Sequence, residues 1–328
     1  MVWSLTEDYA MPASIDALID KLIDYAGLFP PASLDMEPAV TEYARHLRGP
    51  NAGVLGHFIC PAWRLDEFSK HAAIMMPGTY ATSGYTEMAG VTEPWKVSAI
   101  LKPDEPGEGL EAVHAFNERH SREEHGLAKI DAVEVKALSA DFIDEAIDAM
   151  PDDIIPFFEI DHTKDPRGMI AALSGLPAAA KIRTGGVTPE LIPTPEQVAR
   201  FIRCCQVGDV PFKCTAGLHH PLRGDYRLTY EVGSATGTMF GYLNVFLASA
   251  LMRHNKIDEA QAAELLVETD KGKLSFDDAG ASWRSPDGEV SLTTDEIVDA
   301  RRQFAFSYGS CSFTEPTEEL AELGWLDS

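Results

Sequence analysis

The segment IDAVEVKALSADFIDEAIDAMPDDIIPFFEID, residues 130–161, shows the pattern that recurs along most of this chain. A run rich in β-branched residues opens it, an amphipathic helical stretch follows, and a second run with two phenylalanines closes it. Short apolar runs that alternate with amphipathic helices are typical of the βαβ units of a parallel sheet. The pattern therefore predicts an α/β protein.

Strand character recurs in seven segments of the chain. They are 53–60, 96–103, 130–138, 153–161, 178–185, 210–217 and 304–310. No strand leads into the GxGxxG turn of a dinucleotide-binding fold, so the count favours a TIM-type (β/α)8 barrel. Between 217 and 304 we find a long apolar helix and a hairpin but no clean strand. The barrel is therefore expected to be incomplete or decorated, and an open α/β sheet is the alternative.

Two regions of different character divide the chain. Residues 1–50 are predicted to form an N-terminal helical cap, with helices over 14–25 and 35–47 joined by AGLFPPASL. Residues 51–328 are predicted to form the barrel, with a hairpin insertion around 272–292. The cap is expected to close one barrel mouth. Alternatively, Tyr25, Phe29 and the loop that follows reach the ligand.

Composition excludes several function classes. The chain has 27 Lys and Arg against 52 Asp and Glu, a formal net charge of −25, which disfavours binding to nucleic acid or to an anionic membrane. Five cysteines form no CxxC pair, and no apolar run approaches the roughly 18 residues that span a bilayer. The N-terminus lacks the pattern of a signal peptide, so a cytoplasmic location is expected. The oligomeric state stays open.

Strand parity sorts charged residues from packing residues. Side chains alternate between the barrel interior and the helix layer, so apolar residues at one parity place their polar neighbours inside. Eight residues on four successive strands are predicted to point inward near the C-terminal ends, where barrel enzymes build their sites. They are Glu134, Lys136, Glu159, Asp161, Lys181, Arg183, Lys213 and Thr215.

Buried charges need partners, a ligand or solvent, because burying an unpaired charge is costly. This set contains four cations and three carboxylates, so we expect a locally positive pocket for a small carboxylated or phosphorylated substrate. Gly185 and Gly186 follow one of the strands, and their backbone N–H groups are candidates for a phosphate nest. A structural ion-pair network and an ordinary tight turn are the alternatives for the charges and the glycines.

Two lysines suggest a reaction. Lys181 and Lys213 lie on consecutive predicted strands, and an ammonium beside another cation loses its proton more easily. A neutral lysine attacks a carbonyl to form a Schiff base, without a cofactor. Glu159 or Asp161 would then transfer protons. We therefore predict a lyase or aldolase-like enzyme that uses Lys213.

A family resemblance points to the same chemistry. "FKCTAG" resembles the Schiff-base strand of deoxyribose-phosphate aldolase, a class I aldolase barrel, and "AKIRTGG" is similar to the strand of that family that carries a second lysine and a Gly-Gly turn. In the family these two strands occur in the opposite order. The resemblance implies Lys213 as nucleophile, Lys181 as the lysine that perturbs it, and Gly185 and Gly186 as phosphate contacts.

A second resemblance covers more of the chain. The stretches "DYAGLFPPA", "KIRTGGVTPE", "GLHHPLRG" and "SYGSCSF" are similar to those of a group of bacterial proteins. This likeness implies no activity.

A histidine pair offers a competing site. His219 and His220 follow the Lys213 strand, and with Glu159 they supply enough nitrogen and oxygen ligands for zinc or manganese in a metal-dependent lyase, isomerase or hydrolase. Arg223 nearby is a candidate clamp for a carboxylate. The predicted substrate-binding residues are thus Arg183, Gly185, Gly186, Glu134, Lys136, Thr215, His219, His220 and Arg223. A non-catalytic anion-binding barrel is the third alternative.

Overall fold

Eight parallel strands close into a barrel. The computed structural model describes residues 11–78 and 93–326. Around the barrel the order is β1, β2, β3, β4, β5, β6, β7 and β13, which returns to β1. The strands are β1 Ile23–Tyr25, β2 Leu55–Pro61, β3 Trp95–Ile100, β4 Ala128–Lys136, β5 Ile155–Ile160, β6 Ala179–Arg183, β7 Phe212–Thr215 and β13 Ala305–Ser310. The predicted TIM-type (β/α)8 barrel is confirmed.

Helices surround the barrel. In the described residues they are α1 Ala13–Ile19, α2 Met36–Leu47, α3 Leu65–Ala72, α4 Pro106–His120, α5 Ala140–Asp148, α6 Arg167–Leu173, α7 Pro195–Gly208, α8 Tyr242–Arg253, α9 Glu259–Leu266, α10 Thr294–Gln303 and α11 Thr314–Glu322. The N-terminus of α7 shows how the sequence determines where a helix begins. Thr194 and Gln197 form a reciprocal capping box, and Pro195 occupies the first turn. No helix of the described residues is long and apolar enough to cross a bilayer.

The eighth strand lies in a segment for which we predicted a helix. Helix α1 ends at Ile19, and Lys21 turns the chain with a left-handed φ of 49°. Residues Ile23–Tyr25 then pair with β13 on one side and with β2 on the other. The predicted helix over 14–25 is therefore wrong in its second half, and the barrel is complete without a strand from 217–304. Residues 1–10 of the predicted cap lie outside the described residues.

In the part of the chain that the structure describes, two small antiparallel sheets decorate the barrel. Strands β8 Gly224–Arg227 and β9 Thr236–Met239 pair with each other in the connection after β7. Strands β10 Leu274–Phe276, β11 Gly280–Ser285 and β12 Gly288–Thr293 form a three-stranded sheet. The segment expected to be a hairpin around 272–292 thus contributes three strands rather than two.

The side chains of the strands alternate between the barrel interior and the helix layer, as strand parity predicts. Val133, Val135, Phe158, Ile160 and Ile182 all belong to the main apolar core, which packs between strands and helices. A second small cluster of Ala132, Phe157, Ala179 and Phe306 fills the barrel near the N-terminal ends of its strands. Charged side chains line the interior on both sides of this cluster, toward the C-terminal ends and toward the N-terminal ends of the strands.

Candidate active site

Glu134 is the centre of the ionic layer inside the barrel. Its carboxylate is almost fully buried on β4. Lys213 on β7 lies 2.7 Å from Glu134 Oε1, and Lys181 on β6 lies 2.7 Å from Glu134 Oε2. Ser98 on β3 donates a third hydrogen bond to the same carboxylate. Four strands are therefore tied together through one acidic side chain.

Asp24 on β1 completes the buried network on the other side of Lys213. Its Oδ2 lies 2.5 Å from Lys213 Nζ and accepts a 2.7 Å hydrogen bond from the Ser307 hydroxyl. Its Oδ1 accepts a hydrogen bond from the His57 backbone N–H and lies 3.1 Å from His57 Nδ1. Sequence reasoning missed Asp24 because it was placed in a helix. The short segment "LIDYA" has no period that would mark it as a strand.

The carboxylates keep both lysines protonated. Burial favours the neutral amine of Lys213, but Asp24 and Glu134 outweigh burial and raise its pKa. Burial also favours the neutral amine of Lys181, but the carboxylates of Glu134 and Glu159 outweigh burial and raise the pKa of Lys181. The pKa of Glu134 falls to about 2, because Lys181 and Lys213 more than offset its burial. The expectation that Lys181 lowers the pKa of Lys213 is wrong, since each ammonium lies between two carboxylates rather than against the other.

A cavity of about 420 Å³ opens at the C-terminal ends of the strands. Of the residues predicted for the site, seven line it: Glu134, Glu159, Lys181, Arg183, Gly186, Thr215 and His219. Phe29, Pro30 and Pro31, in the loop after β1, form part of its wall. This loop therefore reaches the cavity as the alternative expectation had it, whereas Tyr25 is buried in the core.

Three charged side chains make an ordered row in the cavity. Lys181 Nζ lies 2.9 Å from Glu159 Oε2, and Arg183 Nη2 lies 3.6 Å from Glu159 Oε1. Burial raises the pKa of Glu159, but the Lys181 ammonium outweighs it and the net pKa is below the ordinary value. The Arg183 side chain keeps 36% of its surface exposed. A carboxylate, an ammonium and an accessible guanidinium therefore stand side by side.

The Lys213 side chain faces the other mouth of the barrel, at the N-terminal ends of the strands. It lines a cavity of about 440 Å³ at the N-terminal ends of the strands, together with Asp24, His57, Asp131 and Arg301. The strands of a closed barrel tilt, so residues in register on neighbouring strands sit at different depths along the axis. Lys213 pairs in register with Lys181 but lies deeper. Parity correctly placed both side chains inside, yet it carries no information on depth.

The other predicted site residues lie outside the C-terminal cavity. Lys136 is exposed at the end of β4. Asp161 follows β5 and accepts hydrogen bonds from the backbone N–H and hydroxyl of Thr163 in its own loop. Arg223 places its guanidinium 4.9 Å from the Phe240 ring centre. Asp161 and Arg223 lie beyond the ends of β5 and β7, where alternation no longer determines direction, and Lys136 is the last residue of β4.

Charge balance also differs from the expectation. With Lys136 and Asp161 outside and Asp24 inside, three cations, Lys181, Arg183 and Lys213, face three carboxylates, Asp24, Glu134 and Glu159. The interior is therefore balanced rather than positive. Arg183 is the cation of this set with the longest ion-pair contact and the greatest exposure, so any attraction for an anion centres on its guanidinium.

The close packing of two loops requires glycine at position 185. A Cβ on Gly185 would lie 2.7 Å from the Cα of Gly217, and a Cβ on Gly217 would lie 2.5 Å from the Cα of Gly185. The Thr184 hydroxyl donates a 2.6 Å hydrogen bond to the Ala216 carbonyl and joins the same two loops. Ala216 and Gly217 both have left-handed φ values, 58° and 77°. The unusual backbone of the site thus follows β7, not β6.

The two histidines face different partners. His219 lines the cavity and places Nδ1 3.4 Å from the Ser310 hydroxyl and 3.5 Å from Glu315 Oε2. His220 turns away and places Nδ1 2.8 Å from Glu319 Oε1. Among the described residues, the metal-ligand atoms that converge with His220 belong to Glu315 and Glu319 and not to Glu159. The expected trio of His219, His220 and Glu159 is not assembled.

Comparison with known proteins adds little. No family model and no curated protein matches the chain. Among solved structures, the spore cortex-lytic enzyme SleL of Bacillus cereus is 11% identical, with a TM-score of 0.38, over 94% of this chain and 74% of that chain. A likeness at this level carries no argument about activity, so the functional conclusion depends on the geometry of the site.

Proposed function

We propose that the C-terminal cavity is the active site of an enzyme acting on a small carbonyl compound that carries a carboxylate or phosphate. The observation that carries the proposal is the 2.9 Å contact between the Lys181 ammonium and the Glu159 carboxylate on the cavity lining. The position also fits, because barrel enzymes place their sites at the C-terminal ends of the strands.

Arg183 is the residue that binds the anionic group of the substrate. Its guanidinium presents several N–H donors in one plane, which match the oxygens of a carboxylate or phosphate. The long 3.6 Å contact with Glu159 and the partial exposure of the side chain leave donors directed to the cavity. Gly186, Thr215 and His219 line the same space and limit the size of the substrate.

Glu159 and Lys181 supply complementary proton chemistry. The lowered pKa of Glu159 and the raised pKa of Lys181 make a carboxylate base and an ammonium acid at neutral pH. Glu159 removes a proton next to the substrate carbonyl, and the electron pair moves onto the carbonyl oxygen, where the Lys181 ammonium stabilises the charge. Return of the proton to another carbon is an isomerisation. If Glu159 instead removes the proton of a hydroxyl on the carbon β to the carbonyl, that oxygen forms a new carbonyl and the bond between the α and β carbons breaks, as in a lyase. The electron pair of the broken bond moves onto the substrate carbonyl oxygen beside the Lys181 ammonium, and the resulting enolate is protonated on release.

A Schiff-base mechanism through Lys213 has less support. It requires a neutral amine in contact with the substrate. Lys213 is held between Asp24 and Glu134, its pKa is raised, and it does not line the C-terminal cavity. The Lys181–Glu159 pair needs no neutral lysine, so acid–base chemistry is the reaction that the site favours. A non-catalytic anion-binding barrel has no separate observation in its favour.

Exchange of substrate protons with solvent tests the proposal without knowledge of the product. The protein is incubated in D2O with a panel of small 2-oxo acids and phosphorylated ketones, and loss of the proton signal next to the carbonyl is followed by NMR. We expect enzyme-dependent exchange for at least one structural class in the panel. Protection of the protein from thermal unfolding by panel members without any exchange would indicate a binding protein and contradict the proposal.

A further inference from the structure

A second cluster of ligand-type side chains lies behind the cavity wall. His220 follows β7, and Glu315 and Glu319 lie one turn apart on α11. One ligand atom from each of the three residues falls within 4.8 Å of the other two. The cluster joins the loop after β7 to a helix almost a hundred residues later in the chain.

The His220 ring is fixed before any ion binds. It stacks on the Tyr226 ring with centroids 3.4 Å apart and planes 11° apart. Its Nδ1 lies 2.8 Å and 2.9 Å from the two carboxylate oxygens of Glu319. Neighbouring groups that hold an imidazole in one orientation are a regular feature of metal-ligating histidines.

The two glutamates lack strong cationic partners. Carboxylates four residues apart on a helix repel each other. Over the described residues, 11–78 and 93–326, the ion pairs of Glu315 and Glu319 are with His219 and His220 only, and no Lys or Arg nitrogen lies within 4.0 Å of either. A divalent cation would neutralise both charges at once.

A buried hydroxyl provides an independent sign of a missing group. Tyr308 is fully buried, and its hydroxyl has no hydrogen-bond partner among the residues that the structure describes. Its ring stacks on Tyr242, whose own hydroxyl donates to the Pro316 carbonyl on α11. The tyrosine pair therefore packs against the helix that carries Glu315 and Glu319.

We propose that His220, Glu315 and Glu319 bind one divalent transition-metal ion. One imidazole nitrogen and carboxylate oxygens suit zinc and manganese. A water molecule on the ion supplies the partner that the Tyr308 hydroxyl lacks. The ion fixes α11 against the loop after β7. Since His219 both lines the cavity and contacts Glu315, the ion also shapes one cavity wall.

Metal titration tests this site independently of any activity. The purified full chain is stripped with chelator, dialysed and titrated with Zn2+ and with Mn2+ by calorimetry, with elemental analysis of the product. We expect one ion per chain for at least one of the two metals. Failure of both metals to bind stoichiometrically would overturn the proposal.

Matched glutamate variants locate the ion. Glu319→Gln should weaken binding at least 100-fold, whereas Glu318→Gln, on the exposed side of the same helix, should bind as the wild type does. If Glu319→Gln does not fold, as judged by circular dichroism, Glu315→Gln takes its place. Equal binding by the cluster variant and the Glu318 variant would show that the ion sits elsewhere and would contradict the proposal.

Discussion

Lys213 Nζ lies 2.5 Å from Asp24 Oδ2, so strands β1 and β7 share a buried ion pair between two residues that are 189 positions apart in the chain. Both side chains are essentially inaccessible to solvent. The pair holds the three-residue strand β1 in the gap between β13 and β2, and it thereby closes the barrel.

Asp24→Asn should therefore destabilise the protein strongly. The substitution keeps the shape of the side chain but leaves the buried Lys213 ammonium with Glu134 as its remaining carboxylate. Breaking a buried ion pair by removing one partner costs about 3–5 kcal/mol. Chemical denaturation should show a loss of about 3 kcal/mol or more in the free energy of unfolding. Asp20→Asn, at an exposed aspartate at the end of α1, serves as the control, and equal stability of the two variants would contradict the role of the pair.

Stability should also depend on pH through His57. Burial disfavours the charged ring, but Asp24 and Asp131 outweigh it and raise the pKa of His57 to about 9 from its ordinary value of 6.5. Lys213 and Lys96 face the same two carboxylates from the other side. Because the folded-state pKa is the higher one, this stabilisation is complete below pH 6.5 and is lost as the pH rises toward about 9.

The size of this effect is measurable. The shift in the pKa of His57 corresponds to a loss on the order of 3 kcal/mol in the free energy of unfolding between pH 6.5 and about pH 9. Denaturant titrations at a series of pH values should show the decline in the wild type and in His114→Gln, an exposed histidine on α4. His57→Gln should flatten the curve over this interval. An unchanged slope in His57→Gln would contradict the assignment.

Arg183→Gln should affect substrate binding more than turnover. The Arg183 guanidinium is proposed to bind the anionic group of the substrate, at a distance from the carbon that reacts. Loss of the guanidinium should therefore raise KM at least tenfold and change kcat by a smaller factor. Arg284→Gln removes an exposed arginine on β11 and is the matched control. Proton-exchange kinetics measure both constants. A variant with a normal KM would show that another residue binds the anion.

Borohydride should not trap a substrate on Lys213. Imine formation needs a neutral amine, and the raised pKa of Lys213 keeps this amine protonated. Peptide mapping by mass spectrometry after reduction in the presence of pyruvate should find Lys213 unmodified. A stoichiometric adduct on Lys213 would restore the aldolase-like mechanism that the FKCTAG segment predicts.

The sequence was most informative where a strand was long enough to show alternation. Segments such as 130–138 and 178–185 display several side chains of each parity, and the charged residues Glu134 and Lys181 were correctly placed inside. Strand β1 has only three residues between a helix and a proline-containing loop, so no period can be read from it. Asp24 was missed for this reason.

The alternation along a strand predicts neither how deep a side chain lies in the barrel nor which distant residue it contacts. Alternation distinguishes inside from outside, but the stagger of the strands determines which mouth a side chain faces, as Lys213 shows. The contacts of His220 with Glu319 join a loop to a helix 99 residues later, and nothing local in either segment indicates the other. Residues beyond the strand ends, such as Asp161, follow loop geometry instead of strand parity.

Comparison of Glu159→Gln with Glu145→Gln in the proton-exchange assay tests the proposed active site most directly. Both variants replace a glutamate by its neutral analogue, but Glu159 lines the cavity beside Lys181, whereas Glu145 is exposed on α5. Loss of a general base lowers rates by about 10²–10⁴. The structure predicts that Glu159→Gln loses at least about 100-fold in exchange rate while Glu145→Gln matches the wild type. Exchange by a folded Glu159→Gln variant within twofold of the wild type would show that the reaction takes place without this carboxylate.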